Sequence, residues 1–168
     1  METWQYSHEE VGSIVTEEQV IRILVVDDDR SIRETLQAAL QDEGYSVSEA
    51  EDGEVALKIL RASKEPLVVL LDLRMPVLDG EGVLSSVAAD QSLASRNAFL
   101  LITANRDFIS EKTKQLLLQL QVPVIPKPFE LDRLIDIIAE TAYRHMASIS
   151  PESWSDTPPH QAARGPSS

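Results

Sequence analysis

The chain has 168 residues with 15 Lys or Arg against 28 Asp or Glu, a net charge of −13, and that balance repels a nucleic-acid backbone and argues against direct DNA or RNA binding. Cysteine is absent, which excludes disulfides and thiol chemistry. No apolar run approaches the ~20 residues needed to cross a bilayer, and the acidic amino terminus lacks a secretory pattern, so a cytoplasmic protein without membrane association is expected.

Residues 1–20 carry Glu2, Glu9, Glu10, Glu17 and Glu18 and no Lys or Arg. Val11, Ile14 and Val15 have weak helical spacing that Gly12 interrupts, so this stretch reads as an acidic extension, disordered or partly helical. A partner-binding or dimer-forming helix is the sharper alternative. Residues 21–26 form a buried strand followed at once by Asp27, Asp28 and Asp29. A helix over about 31–43 places Ile32, Leu36, Ala39 and Leu40 on one face and stops at Gly44. Residues 45–50 alternate as a second strand, and residues 54–62 follow as a helix with Val55, Ala56, Ile59 and Leu60 inward.

The apolar run of residues 67–71 is bounded by Pro66 and ends abruptly at Asp72, as a strand buried on both faces does in a parallel sheet. Pro76 then excludes helix before it, and Gly80 is expected to turn the chain by permitting unusual dihedrals. A helix over about 81–89 buries Val83, Leu84, Val87 and Ala88. Residues 98–103 make the fourth strand, ended by the Thr103 hydroxyl. A fourth helix over about 107–120 leads to a fifth strand, 122–125, and then Lys127, Pro128 and Phe129. The fifth helix, about 131–144, has Leu131, Leu134, Ile135, Ile138, Ala139 and Ala142 on one stripe.

Five βα units in strict alternation give an α/β fold, a doubly wound (βα)5 three-layer sandwich with a parallel sheet. The folded domain is placed at 21–147. From 148 to 168 the chain is rich in Pro and Ser, with Pro151, Pro158, Pro159 and Pro166, and is expected to be a disordered tail in which Trp154 alone could dock.

With all strands parallel, their carboxyl ends share one rim, where open α/β folds put their chemistry. In the order 2-1-3-4-5 that rim gathers the Asp27–Asp29 run, Asp72, Thr103 and Lys127. Several carboxylates in one cleft repel unless a cation neutralises them. Oxygen-only donors favour a hard ion, and Mg²⁺ typically takes one or two carboxylates and keeps waters. An ammonium and a hydroxyl suit phosphoryl oxygens. The residue types point to Mg²⁺-assisted phosphoryl transfer, with a carboxylate as ligand or nucleophile.

The strings Ile-Leu-Val-Val-Asp-Asp-Asp (23–29), Asp-Leu-Arg-Met-Pro-Val-Leu-Asp-Gly (72–80), Thr103-Ala104 and Lys127-Pro128-Phe129 together resemble the receiver domain of bacterial response regulators over about residues 21–146. Each piece alone is a weak signal; the four in order are a strong one. The resemblance implies a flavodoxin-like fold, and because no second folded segment is read in the sequence, a stand-alone receiver is expected. It implies phosphorylation on Asp72 by a histidine kinase or a histidine phosphotransfer protein, and signalling by binding a downstream protein target. It further implies that Asp28, Asp72 and the backbone carbonyl of Arg74 ligate Mg²⁺, with Asp27 acting through water. Lys127 would pair with the phosphoryl oxygens across a cis bond to Pro128, Thr103 would report phosphorylation, and Ala104 would leave the phosphoryl group room.

One departure concerns the output. Receivers usually carry an aromatic residue three positions before the Lys; here that position is Val124, which cannot change its exposed surface comparably. Asp29 is expected to cap the first helix, and Arg74 and Asn105 to line the mouth of the site. Two rival readings are a phosphorylation-independent docking receiver and a haloacid-dehalogenase-like phosphatase using Asp27. Against the latter, no strand-ending acidic pair follows Lys127, and Asp72 would have no task. Leu116, Leu117, Leu118 and Leu120 exceed what one buried helix face needs: either they form a thick core stripe, or Leu117 or Leu118 extends a patch for docking or for a homodimer through the fourth and fifth helices. His8, His145 and His160 lie too far apart to suggest a metal site.

Overall fold

The computed structural model describes residues 20–149. Its five strands are β1 (Arg22–Val26), β2 (Ser46–Ala50), β3 (Val68–Asp72), β4 (Ala98–Thr103) and β5 (Val124–Pro126). They form one parallel sheet in the order β2-β1-β3-β4-β5. Helices α1 (Arg30–Asp42), α2 (Gly53–Ala62), α3 (Gly80–Ala88), α4 (Gln91–Arg96), α5 (Glu111–Leu120) and α6 (Leu131–Ile149) cover its faces.

The period-2 geometry of a strand explains the two cores. Leu24, Val26, Val69, Leu71, Phe99 and Leu101 point to one face, under Leu60 of α2, Leu84 of α3, Leu93 of α4 and Leu116 of α5. Their alternates Ile23, Val25, Val68, Leu70, Leu100 and Ile102 point to the other, under Leu36 and Leu40 of α1 and Leu134 and Ile138 of α6. A central strand must therefore be apolar at every position, and all five residues of β3 are buried, Asp72 included.

Several local expectations hold. Asp29 is the N-cap of α1, its carboxylate accepting from the Ser31 and Ile32 amides, and Gly44 has φ +89° just after that helix. The Lys127-Pro128 peptide is cis.

Others need correction. Gly80 is not the residue with unusual dihedrals; Val77 is, at φ 70°. Gly80 begins α3 and is required by space instead, because a Cβ there would lie 2.6 Å from the Asp72 carbonyl oxygen and 2.9 Å from Leu73 Cα. The connection before β4 contains the helix α4, which the sequence pattern missed. With six residues and one buried side chain, Leu93, it has no readable periodicity. Asp90 caps it, accepting from the amides of Ser92 and Leu93.

The helix expected from residue 107 begins at Glu111, capped by Ser110, after a 3-10 turn at Arg106–Phe108. The fourth and fifth helices of the sequence reading are therefore α5 and α6. The last strand is Val124–Pro126, two residues later than expected at its start. Finally, α6 continues to Ile149, past the point where the tail was placed. Its extra turn is anchored by His145 Nε2, which donates to the Arg96 carbonyl at 2.7 Å. The remaining readings of the two terminal extensions lie outside the described residues.

Candidate functional site

The rim at the carboxyl ends of β1, β3 and β5 brings together Asp27, Asp28, Asp72 and Lys127. Asp27 follows β1 directly, and its amide donates to the Ala50 carbonyl, which holds the strand end against β2. Its side chain is turned inward. One oxygen accepts from the Asp29 amide at 2.9 Å and the other from Lys127 Nζ at 2.8 Å. Lys127 Nζ also donates to Asp72 Oδ1 at 3.3 Å, so residues far apart in the chain meet through one ammonium. Asp28, by contrast, is exposed at the mouth.

The backbone sets this arrangement. The Lys127 amide donates to the Thr103 carbonyl at 2.8 Å, and the Leu73 amide to the Ile102 carbonyl at 3.1 Å. Both bonds continue the parallel ladder one step past its last side-chain pair, so Asp72 and Lys127 share the rim on either side of β4. The Gly80 amide donates to the Leu73 carbonyl, folding the loop after Asp72 back against the strand.

Burial and charge act together on the titrating groups. Asp72 is only 6% exposed. Burial first, and then the charge of Asp27, push its carboxyl up from 3.8 to about 6, although Lys127 opposes the shift. For Lys127, burial pulls the ammonium down, but the hydrogen bonds and charges of Asp27 and Asp72 together outweigh it and hold the group above its ordinary value.

The donor set has the chemistry of a site for a hard divalent ion. Asp27, Asp28 and Asp72 each offer a carboxylate oxygen, and these atoms lie within 4.8 Å of one another. Only oxygen donors are present, and one ammonium is set against three carboxylates, which leaves negative charge for a cation to offset. The residues fit Mg²⁺.

The other expected residues divide. Thr103 is 2% exposed. Its hydroxyl engages its own loop, accepting from the Asn105 amide at 3.3 Å and lying 3.4 Å from the Asn105 carbonyl. Ala104, Asn105 and Arg74 are exposed. Val124 is half-buried and packs against the core on the α2–α5 side. Leu118 is 81% exposed, whereas Leu117 is half-buried and packs against the core, so Leu118 contributes the larger exposed surface of the two.

Sequence reasoning missed three residues that support the site. Arg33 on α1 donates to the Asp27 carbonyl at 2.7 Å and pairs with Glu49; a cation four residues after a cap was the available signal. Arg106 donates to the Val124 carbonyl at 2.7 Å, strapping the loop after β4 to β5. Glu81 at the start of α3 accepts from the hydroxyls of Ser110 and Thr113, which hold its carboxyl below its ordinary value. No spacing rule predicts either cross-chain pairing.

The parallel sheet with an acidic rim and one lysine at its carboxyl edge defines a class of α/β signalling domain. The family model for the response regulator receiver domain matches residues 23–139, and the chain belongs to that family. It is 43% identical over 115 residues to the response regulator MprA of Mycolicibacterium vanbaalenii, covering 68% of this chain and 47% of that protein. The MprA of Mycobacterium bovis is 42% identical over the same length. The chain thus spans about half the length of these curated relatives. Among solved structures it is similar to the response regulator TrrA of Thermotoga maritima in complex with Mg²⁺ and BeF, with 31% identity, a TM-score of 0.60, and coverage of 73% of this chain and 99% of that one. It is similar also to the chemotaxis protein CheY4 of Vibrio cholerae, with 29% identity, a TM-score of 0.60, and coverage of 73% and 98%. The domain is therefore a receiver domain of two-component signalling. No helix among the described residues is long and apolar enough to cross a membrane.

Proposed function

We propose that the chain accepts a phosphoryl group on Asp72 from a phosphohistidine of a sensor histidine kinase or phosphotransfer protein, with Mg²⁺, and signals by binding a downstream protein. The observation that carries this reading is the convergence of Asp72, Asp27 and Lys127 Nζ at the carboxyl rim. In the transfer, a carboxylate oxygen of Asp72 bonds to phosphorus as the bond from phosphorus to the histidine nitrogen breaks. The imidazole nitrogen keeps the bonding pair.

Asp28, Asp72 and the Arg74 carbonyl would hold Mg²⁺, with Asp27 acting through water; when bound, the ion supplies positive charge opposite the transferring oxygens. Lys127 leaves its pairing with Asp72 and donates to the new phosphoryl oxygens, which carry more charge than the carboxylate it gives up. The burial of Asp72 excludes most water from the bond that forms, and Ala104 leaves space above it. Thr103 turns from its contacts with Asn105 towards the phosphoryl group. Both of those contacts are long, so little is lost in the exchange. The resulting change at the loop that Arg106 straps to Val124 alters the surface presented to a partner.

The test is intact-mass spectrometry after incubation with acetyl phosphate, with and without Mg²⁺, on wild type and Asp72→Asn. A Mg²⁺-dependent gain of one phosphoryl group that the variant lacks is the expected result. A gain retained in Asp72→Asn but lost in Asp27→Asn would assign the chemistry to the other carboxylate. No gain from either acetyl phosphate or a phosphorylated histidine kinase would leave a docking module.

A further inference from the structure

The amino-terminal edge of the sheet, opposite the acidic rim, carries a groove of about 1310 Å³ between the loop before β3, α4, the end of α5 and the end of α6. Its charge is the reverse of the chain's. Lys64, Arg96, Arg144 and His145 line it, and none of its lining residues is acidic, although the chain carries −13. Arg144 is tied to Glu140 and His145 to the Arg96 carbonyl. Lys64 and Arg96 make no ion pair among the described residues, and Arg96 Nε is buried without a hydrogen-bond partner. Apolar surface lies beside these cations, with Leu118 at 81% and Ile149 at 43% exposure.

The amino-terminal segment has the complementary composition and the right point of entry. Residues 2–18 hold five glutamates and no Lys or Arg, together with Trp4, Tyr6, Val11, Ile14 and Val15. The segment joins β1 at the same edge, and Arg22 pairs with Glu65 at 2.7 Å. Glu65 sits between Lys64 and Pro66, both of which line the groove. From β1 the groove floor at β4 is two strands away, about 10 Å, well within reach of the segment. The residues after Ile149 also leave from the groove rim, but they offer only Glu152 and Asp156 against Arg164, a much weaker complement.

We propose that this groove is the docking site of the chain's own acidic segment, residues 2–18, with glutamates set against Lys64 and Arg96 and apolar side chains against Leu118. The docked segment would cover the exposed end of α5 and withhold it from other proteins. A segment tethered this close has an effective concentration on the order of mM, so even modest intrinsic affinity keeps it docked for much of the time.

The absence of cysteine allows a single nitroxide on Ser7→Cys in the full chain, read by paramagnetic broadening of amide signals. Broadening is expected at Ala94, Gln119 and Val122 and not at Arg30 or Asp79. It should persist when labelled protein is diluted with unlabelled, and fall by about half or more at ~0.5 M salt, where screening is strong. Lys64→Glu with Arg96→Glu should abolish it. Glu9→Gln, Glu10→Gln, Glu17→Gln and Glu18→Gln together should do the same without touching the folded domain. No broadening at the groove, or broadening that survives the four-Gln variant, overturns the proposal. Broadening seen only between separate molecules also overturns it, and assigns the groove to a second copy.

Discussion

Asp72→Asn is expected to stabilise the metal-free protein, and the amount follows from the charge arrangement. Burial and the Asp27 charge raise the Asp72 carboxyl from 3.8 to about 6, equivalent to about 3 kcal/mol at 1.36 kcal/mol per pKa unit. The cleft opens to solvent and counterions, which reduces the effective cost to about 1–2 kcal/mol. The sign follows from proton linkage. A carboxyl raised in the native state binds its proton more tightly there than in the unfolded chain, so it destabilises the fold at high pH and ceases to do so as pH falls. The variant should therefore gain about 1–2 kcal/mol at pH 8, about half of that near pH 5, and nothing below the unfolded value. Urea unfolding followed by circular dichroism, in chelator, measures this. Added Mg²⁺ should erase and then reverse the difference by stabilising wild type, by about 2.7 kcal/mol at a hundredfold excess over its Kd. Equal or lower stability of Asp72→Asn at pH 8, or a gain independent of pH, would refute the reasoning. The first of these outcomes would mean that the Lys127 attraction matches or exceeds burial and the Asp27 repulsion together.

Gly80→Ala should cost about 2 kcal/mol or more, because its Cβ meets the backbone of Asp72 and Leu73, which cannot move aside as a flexible side chain would; urea unfolding tests this, and a change near zero would show that the loop can shift. Val77→Gly should stabilise by roughly 1 kcal/mol, since a β-branched residue at φ 70° is strained and its 72%-exposed side chain loses little packing; thermal unfolding gives the comparison. Leu118→Lys should leave stability within about 0.5 kcal/mol while Leu117→Lys, placed against the core, costs about 2 kcal/mol or more. If α5 and α6 form a homodimer face, light scattering should show weaker self-association for Leu118→Lys.

The sequence by itself determined the architecture and the identity of the acidic rim. Continuous apolar runs such as residues 67–71 are required of strands buried on both faces, and their alternation with amphipathic helices admits few topologies. Once the strands are parallel, the polar residue that ends each one is placed on a common edge, so Asp27, Asp72, Thr103 and Lys127 were legible as a group before any distance was known. Short or long-range features were not. Six residues of α4 bury one side chain and leave no period to read. The buried amide of Asn97, accepting from the Leu67 amide and donating to the Leu93 carbonyl, joins elements that only packing makes adjacent. Gly80 was read as a conformational glycine, yet whether a glycine answers to dihedral or to space depends on what lies across from it. Which of Asp27 and Asp28 faces inward, where Arg33 and Arg106 reach, and that the basic groove opens beside the entry of the acidic segment were decided by the tertiary structure. Local patterns encode which residues must be buried, whereas side-chain partners distant in the chain are chosen only when the layers close.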